Sequence, residues 1–364
     1  MKSIIMTGVV MALFYSCRSQ DDINARAISV DYKNSKQIQL SEYFTLAKVC
    51  PLETTPENLI GHIKKIEIYN TDFYILDEAN NCVFHHDSSG RFINQLNKIG
   101  RGSQEYMRIT DLKVNDNGIF ILDYSQQSII QYDHNLQFIR KTHLDFFASE
   151  FLLQQENIFF YSERANNKQD YCFYSTDYQG NIVSSYVQRR GLKHECYNFQ
   201  SSNVFCFNSD SLFSPRNSNY IYSQSHPDFA YKLDFKDKTF PEDKLNIEEY
   251  DLYSPQFPFI VREHLYQYNN HLFISYFYNK KRRFAHYDMD SKQSLFNGEF
   301  INDVIPQFRF FPQWQKNAYW IDCIDSYTLL NAFTDIAKKI LPTQQLQDTD
   351  NPVLVIYKIK DIIK

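Results

Sequence analysis

The residues with chemistry to offer fall into a few small groups. The densest is Gly100-Arg101-Gly102-Ser103-Gln104-Glu105-Tyr106, where two of the chain's 9 glycines meet a guanidinium, a carboxylate and a phenol. Glycines beside a cation can cradle a phosphate on backbone N–H groups. A dinucleotide loop would need glycine at the position of Glu105 and a helix after it. A P-loop would need Gly-Lys-Ser or Gly-Lys-Thr. Neither pattern is present, and the strand-like run 109–115 follows instead. The stretch therefore reads as a turn joining two units, its glycines permitting the positive φ angles of a tight path. Arg101, Glu105 and Tyr106 are the ligand-binding candidates such a turn would present.

Acids and histidines come next. Asp77 and Asp123 recur at one position of a repeat, as do Asp87 and Asp133. Recurring carboxylates suggest a metal or an acid–base pair. Each follows an apolar run at a turn, where an Asp side chain bonds the local backbone, so a structural role is expected. The 10 histidines show no His-Glu-x-x-His or other ligand spacing. His85 and His86 point to opposite faces of one strand, and Lys-His-Glu-Cys at 193–196 has unspecific spacing. No Gly-x-Ser-x-Gly is present. No catalytic residue, metal ligand or cofactor is assigned.

Beyond Cys17, six cysteines remain: Cys50, Cys82, Cys172, Cys196, Cys206 and Cys323. No Cys-x-x-Cys occurs, and the thiols lie in apolar runs, so buried free thiols are expected, with Cys196 and Cys206 the pair most worth testing. The cationic run 279–284 sits between two apolar runs and reads as a hairpin turn. The aromatic run 308–314 with Trp314 and Trp320 suits either sugar stacking or a packed core, and the core reading is the simpler.

The elements that position these groups are strands. Residues 73–93 and 119–139 align without a gap at an offset of 46. Ile75-Leu76-Asp77 matches Ile121-Leu122-Asp123, and Phe92-Ile93 matches Phe138-Ile139. With the alternating runs 63–69 and 109–115 each unit has four strands in a meander, the pattern of a propeller blade. Looser copies follow, with Asp177, Asp234 and Asp288 at the second-turn position. Six units emerge, about 55 residues each over 36–364. A helical insertion near 323–341 carries Tyr327, Leu330, Phe333, Ala337 and Ile340 on one face. Asp325 caps its start, Lys338-Lys339 suit its end and Pro342 stops it. The last unit is one strand short, and the segment 47–53 is expected to complete it. The fold class is all-β: a six-bladed β-propeller of four-stranded antiparallel blades, closed by an N-terminal strand.

Composition agrees. The 364 residues include 27 Tyr and 31 Phe, which favour pleated surfaces. The net charge of −5 carries no basic block, which disfavours nucleic acid as a partner. Residues 1–16 pair an early lysine with an apolar run too short to span a membrane, as in a signal peptide. Ser16-Cys17 resembles a bacterial lipoprotein cleavage site, which would leave Cys17 as the lipidated first residue; a plain secretion signal is the alternative. Residues 17–35 read as a tether. Asp21-Asp22 resembles the signal that sends some lipoproteins to the outer cell surface, with a periplasm-facing location also open.

The run 48–106, with Pro-Leu-Glu-Thr at 51–54, the Ile-Leu-Asp strand and the Gly100–Tyr106 crossover, resembles the start of the six-bladed β-propeller lipoproteins related to the NHL-type propellers. Ser103 and Gln104 replace that family's usual Pro and Gly. The strand at 351–360 resembles its closing strand. The resemblance implies the fold and a cell-envelope location, and no particular activity. The expected function is non-enzymatic binding or scaffolding of an envelope protein, peptide or glycan by a membrane-anchored monomer. The alternative is an extracytoplasmic lyase or hydrolase with its site at the central channel.

Overall fold

Short apolar runs separated by short polar turns form antiparallel meanders, because alternate side chains can then be buried on both faces of each sheet. The computed structural model describes residues 24–162, 171–188, 203–206, 212–216, 218–226, 229–241, 257–341 and 346–361. Their strands, β1 to β26 in chain order, form six sheets. Blade 1 holds β4 (Ile63–Tyr69), β5 (Asp72–Asp77), β6 (Cys82–His86) and β7 (Phe92–Leu96). Blade 2 holds β8 (Ile109–Asn115), β9 (Gly118–Asp123), β10 (Ser128–Tyr132) and β11 (Phe138–His143). Blade 3 holds β12 (Glu150–Leu153), β13 (Ile158–Tyr161), β14 (Tyr171–Thr176) and β15 (Ile182–Gln188). Blade 4 holds β16 (Phe205–Cys206), β17 (Leu212–Phe213), β18 (Tyr220–Ser223) and β19 (Phe229–Asp234). Blade 5 holds β20 (Arg262–Tyr268), β21 (His271–Tyr278), β22 (Lys281–Asp288) and β23 (Gln293–Ile301). Blade 6 joins β24 (Trp314–Lys316), β25 (Tyr319–Ile324) and β26 (Val353–Ile359) to the N-terminal β3 (Phe44–Pro51). The expected ring closure by an N-terminal strand is what forms.

The first residues of the described chain do more than close the ring. β1 (Asn24–Ser29) adds to blade 4 as a fifth strand parallel to β19, and β2 (Lys36–Gln39) adds to blade 5 parallel to β23. Ile28, Val30 and Tyr32 are buried between these blades. The tether expected over 17–35 does not reach that far: residues 24–35 belong to the disc, and 17–23 and the signal peptide expected over 1–16 lie outside the described residues. Their mixed polarity hid a strand with only one buried face. Gly298 in β23 makes room for β2, since a Cβ there would stand 2.0 Å from the Lys36 carbonyl oxygen.

Each pair of neighbouring blades encloses one apolar cluster, which accounts for the aromatic load. Among the described cysteines, Cys50, Cys82, Cys172 and Cys206 are buried free thiols and Cys323 is partly exposed; Cys196 lies outside the described residues. After the one-turn helix α1 (Leu40–Tyr43) between β2 and β3, the helical insertion is two short helices, α2 (Ser326–Ala332) and α3 (Thr334–Ile340), broken at Phe333. Asp325 caps α2 through the Thr328 N–H, as expected. The break rotates the faces, so Leu329, Ile336 and Ala337 are buried while Tyr327 is 61% exposed.

The recurring acids are turn locks. Asp87, Asp133 and Asp177 follow the third strands of blades 1 to 3. Each carboxylate accepts the N–H groups two and four residues on, at 2.8–3.0 Å. Asp288 does the same for the N–H of Asp290 in blade 5. Asp234 is a different case. It ends the fourth strand β19, not the third, and bonds the Lys236 N–H. Asp77 and Asp123 tie the preceding crossover to the second turn: Asp77 accepts from Gly61, His62, Ala79 and Asn80, and Asp123 from Met107, Arg108 and Gln126.

Candidate functional site: the inner ring and its crossovers

First strands are innermost, and β4 touches β8 and β24, while β8 touches β12 and β16 touches β20. Their backbones repeat one irregularity. A β-bulge shifts the register near the start of β4, β8 and β20, so Lys65, Asp111 and His264 take equivalent places opposite Leu76, Leu122 and Ser275. Two residues on, Glu67, Lys113, Tyr266 and Trp314 are equivalent in the same way.

Blades 1 and 2 carry swapped charges at these two places. Lys65 of blade 1 pairs with Asp111 of blade 2, and Lys113 of blade 2 bonds Glu67 of blade 1 at 2.7 Å. Asp111 also accepts the N–H groups of Leu112 and Phe151, both at 2.8 Å, which reaches into blade 3. Burial works against charge on Lys65, but the carboxylates of Asp111, Glu67 and Glu150 outweigh it and hold the lysine above its usual range. Burial likewise opposes charge on Glu67, and Lys113, Lys65 and Lys316 hold it below the carboxylate range. Further round, Arg216 pairs with Glu150, linking blades 4 and 3. The Arg262 guanidinium donates to the Asn203 and Pro215 carbonyls and to Ser214 Oγ.

The opposite side of the ring is aromatic. Tyr266 stacks on buried Trp320 at 4.2 Å, and its hydroxyl donates to the Pro312 carbonyl. His264 lies beside Tyr266 and Phe311, and burial lowers its pKa from 6.5 to about 3. The hairpin turn expected over 279–284 is confined to Asn279-Lys280; Lys281 onward belongs to β22, and the arginines there are committed rather than solvated. Arg282 forks onto Glu263 at 2.6 and 2.9 Å and lies 3.2 Å from the Phe311 ring centre. Arg283 donates to the Tyr32 carbonyl. Buried Asp322 accepts from the Phe311 and Cys323 N–H groups, yet burial pushes its pKa up to about 8. Phe308, Phe310 and Trp320 are core, so the aromatic run packs rather than presenting a stacking platform.

The Gly100–Tyr106 stretch is the crossover from blade 1 to blade 2, and it is bonded on every side. Gly100 N–H donates to the Tyr106 carbonyl, and Tyr106 N–H to the Lys98 carbonyl. Gln126 reaches the Gly100 carbonyl, and Lys141 the Glu105 carbonyl. Of the three ligand-binding candidates, Tyr106 is fully buried with its hydroxyl donated to the Leu96 carbonyl, so it faces the core and not a ligand. Glu105 is half-buried and its carboxylate accepts the Gly102 N–H at 2.8 Å. Arg101 is exposed. The glycines serve a purpose other than positive φ: a Cβ at Gly100 would stand 1.9 Å from the Glu105 carboxylate, so they admit the acid that folds back on the loop.

Among the described residues, no three His, Cys, Asp or Glu side chains group so as to hold a metal ion. Residues 193–196 lie outside the described residues. The inner-ring pairs had a sequence signal, because Lys65-x-Glu67 and Asp111-x-Lys113 are separated by the same 46 residues as the repeat.

These features define an all-β, six-bladed propeller of four-stranded antiparallel blades, two of them widened by an N-terminal strand, with an inner ring knit by charge on one side and by aromatic rings on the other. Residues 25–358 match the family described as "Domain of unknown function (DUF4934)", and the chain belongs to that family. No curated protein matches the chain. A crystal structure of a Bacteroides fragilis NCTC 9343 protein described as exported is similar, with 19% identity, a TM-score of 0.73, and coverage of 93% of this chain and 100% of that one. A member of the DUF4221 family from Bacteroides vulgatus is 10% identical over 87% of this chain and 98% of its own, with a TM-score of 0.49. Among the described residues, no helix is long and apolar enough to cross a membrane.

Proposed function

We propose that this protein is a cell-envelope lipoprotein that binds or scaffolds an envelope protein, peptide or glycan through its propeller disc and performs no chemistry of its own. The observation that carries this reading is the inner ring. Lys65, Glu67, Asp111, Lys113, Glu150 and Arg216 neutralise one another in three pairs across two blade boundaries. Charges spent on each other rigidify a scaffold, and these six are held by their partners rather than poised for proton transfer. Support for the envelope comes from residues 1–17 and from the similarity to a structure described as exported.

The second reading, an extracytoplasmic lyase or hydrolase, is favoured by one observation. His264 stands on an inner strand as a neutral imidazole, and its Nδ1 has no hydrogen-bond partner among the described residues. A thermal-shift screen of residues 24–364 against peptides, glycans and divalent metals separates the two. A ligand at a hundredfold excess over its Kd stabilises the fold by about 2.7 kcal/mol. The binding reading expects a shift with a peptide or glycan that is recovered unchanged and is equal in His264→Asn. Cleavage of that ligand, lost in His264→Asn, would establish the enzyme instead.

A further inference from the structure

The N-terminal strand fixes how the disc can stand on a membrane. β1 starts at Asn24, so only residues 18–23 separate it from Cys17. Seven chain steps span at most about 25 Å even when fully extended. β1 runs parallel to β19, with Asn24 beside Phe229, the first residue of that fourth strand. Fourth strands begin at the face of the disc that carries the turns at Asp87, Asp133, Asp177 and Asp288. They end at the opposite face, where the crossovers such as Gly100–Tyr106 lie. The described chain therefore begins at the rim of blade 4, on the Asp-turn face.

The surface at that exit has a matching composition. The Arg26 guanidinium lies 5.4 Å from the centre of the half-buried Phe229 ring, which meets Tyr231 edge-on at 5.1 Å. Half-exposed aromatic rings under long cationic side chains suit the headgroup layer, where the ring meets the acyl boundary and the cation meets phosphate.

We infer that the blade 4 rim is held against the lipid headgroups with the Asp-turn face toward the bilayer, and that the crossover face is turned outward as the side a partner approaches. This rests on the lipoprotein reading of Cys17. The bound surface is lipid, and the short tether biases the contact: the six residues of β1 span about 20 Å, so only a nearly fully extended tether lets the disc turn over.

The test uses the full chain, acylated in its host and reconstituted into vesicles whose headgroups carry an energy-transfer acceptor. A donor dye is placed at Gln293→Cys, exposed at the start of β23 on the Asp-turn face of the neighbouring blade, or at Ser103→Cys, exposed on the crossover. Unsubstituted protein gives the labelling background. Transfer at least twofold greater from position 293 is expected. Lengthening the tether by thirty Gly/Ser residues after position 23 is expected to bring the ratio close to one while vesicle binding persists. Equal or reversed transfer in acylated protein overturns the orientation alone. A preference that survives the insertion overturns the tether as its cause. An intact mass showing no acyl chains on Cys17 overturns the anchor, and the orientation with it.

Discussion

Two blade boundaries use equivalent positions in opposite ways. Between blades 1 and 2, Lys65, Glu67, Asp111 and Lys113 hold the inner strands together by charge. Between blades 5 and 6, the place of Glu67 is taken by Tyr266, which stacks on Trp320, and the place of Lys65 by a neutral histidine. The backbone, including the bulge, is the same in both. One scaffold therefore accepts either solution. The ionic one is specific, because a buried charge tolerates only its complement, whereas the aromatic one is held by area and tolerates change of charge nearby.

The largest test of that contrast is charge reversal. Glu67→Lys faces Lys113 and Lys65 with a third cation and should cost about 5 kcal/mol, the upper end for breaking a buried pair. Adding Lys113→Glu restores the pattern in mirror image, and chemical denaturation should show most of the loss recovered. Failure of that rescue would mean that packing, not charge, joins the two blades. Trp320→Ala in the aromatic boundary should cost about 4 kcal/mol through its cavity, with no charge substitution able to rescue it.

Acidity should separate the boundaries next. Asp322 has its pKa raised from 3.8 to about 8, so the folded state holds a proton that the unfolded chain has released. Its contribution is full below about pH 4 and is lost as pH rises towards 8, at about 1.4 kcal/mol per unit. Glu67, held low, contributes above the usual carboxylate range and loses that contribution as pH falls through it. His264, shifted from 6.5 to about 3, likewise loses its contribution as pH falls below 6.5. Hydrogen exchange should show β25 opening more readily as pH rises from 4 to 8, relative to β8 after correction for intrinsic rates; equal profiles would contradict the contrast. The smallest expected effect is at the rim: Ile139→Ser, at a side chain 48% exposed, should change stability by no more than about 0.5 kcal/mol.

The same boundaries show what could be read in advance. Blades 1 and 2 repeat at 46 residues in strands, turns and crossover, so both the blade pattern and the roles of Asp77 and Asp123 were legible. Blade 4 was less so. Its strands β16 and β17 are two residues long, and the run ending in Asp234 looked like a third strand but is the fourth. Nothing local distinguishes the two, because the difference lies in which neighbour supplies the hydrogen bonds. β1 and β2 were missed for a related reason: each is a polar run whose pairing partner lies some two hundred or more residues away. Tyr106 illustrates the limit for the site. A tyrosine beside glycines looks exposed, and only its bond to the Leu96 carbonyl shows that it points inward.

The chain-end strands also set the order of assembly. Thr45 of β3 bonds the Lys358 carbonyl, 313 residues away. A chain made from its N-terminus delivers β1, β2 and β3 first, yet their partners in blades 4, 5 and 6 arrive in that same order and last. β1 waits as an unpaired edge for β19, β2 for β23 and β3 for β26, and the contact that closes the ring is among the most distant in the chain. Such long-range closure is slow and exposes strands that can pair wrongly in the interval. The clasp that makes the finished disc hard to open thus makes its biogenesis an all-or-none event, timed by the release of the last strand.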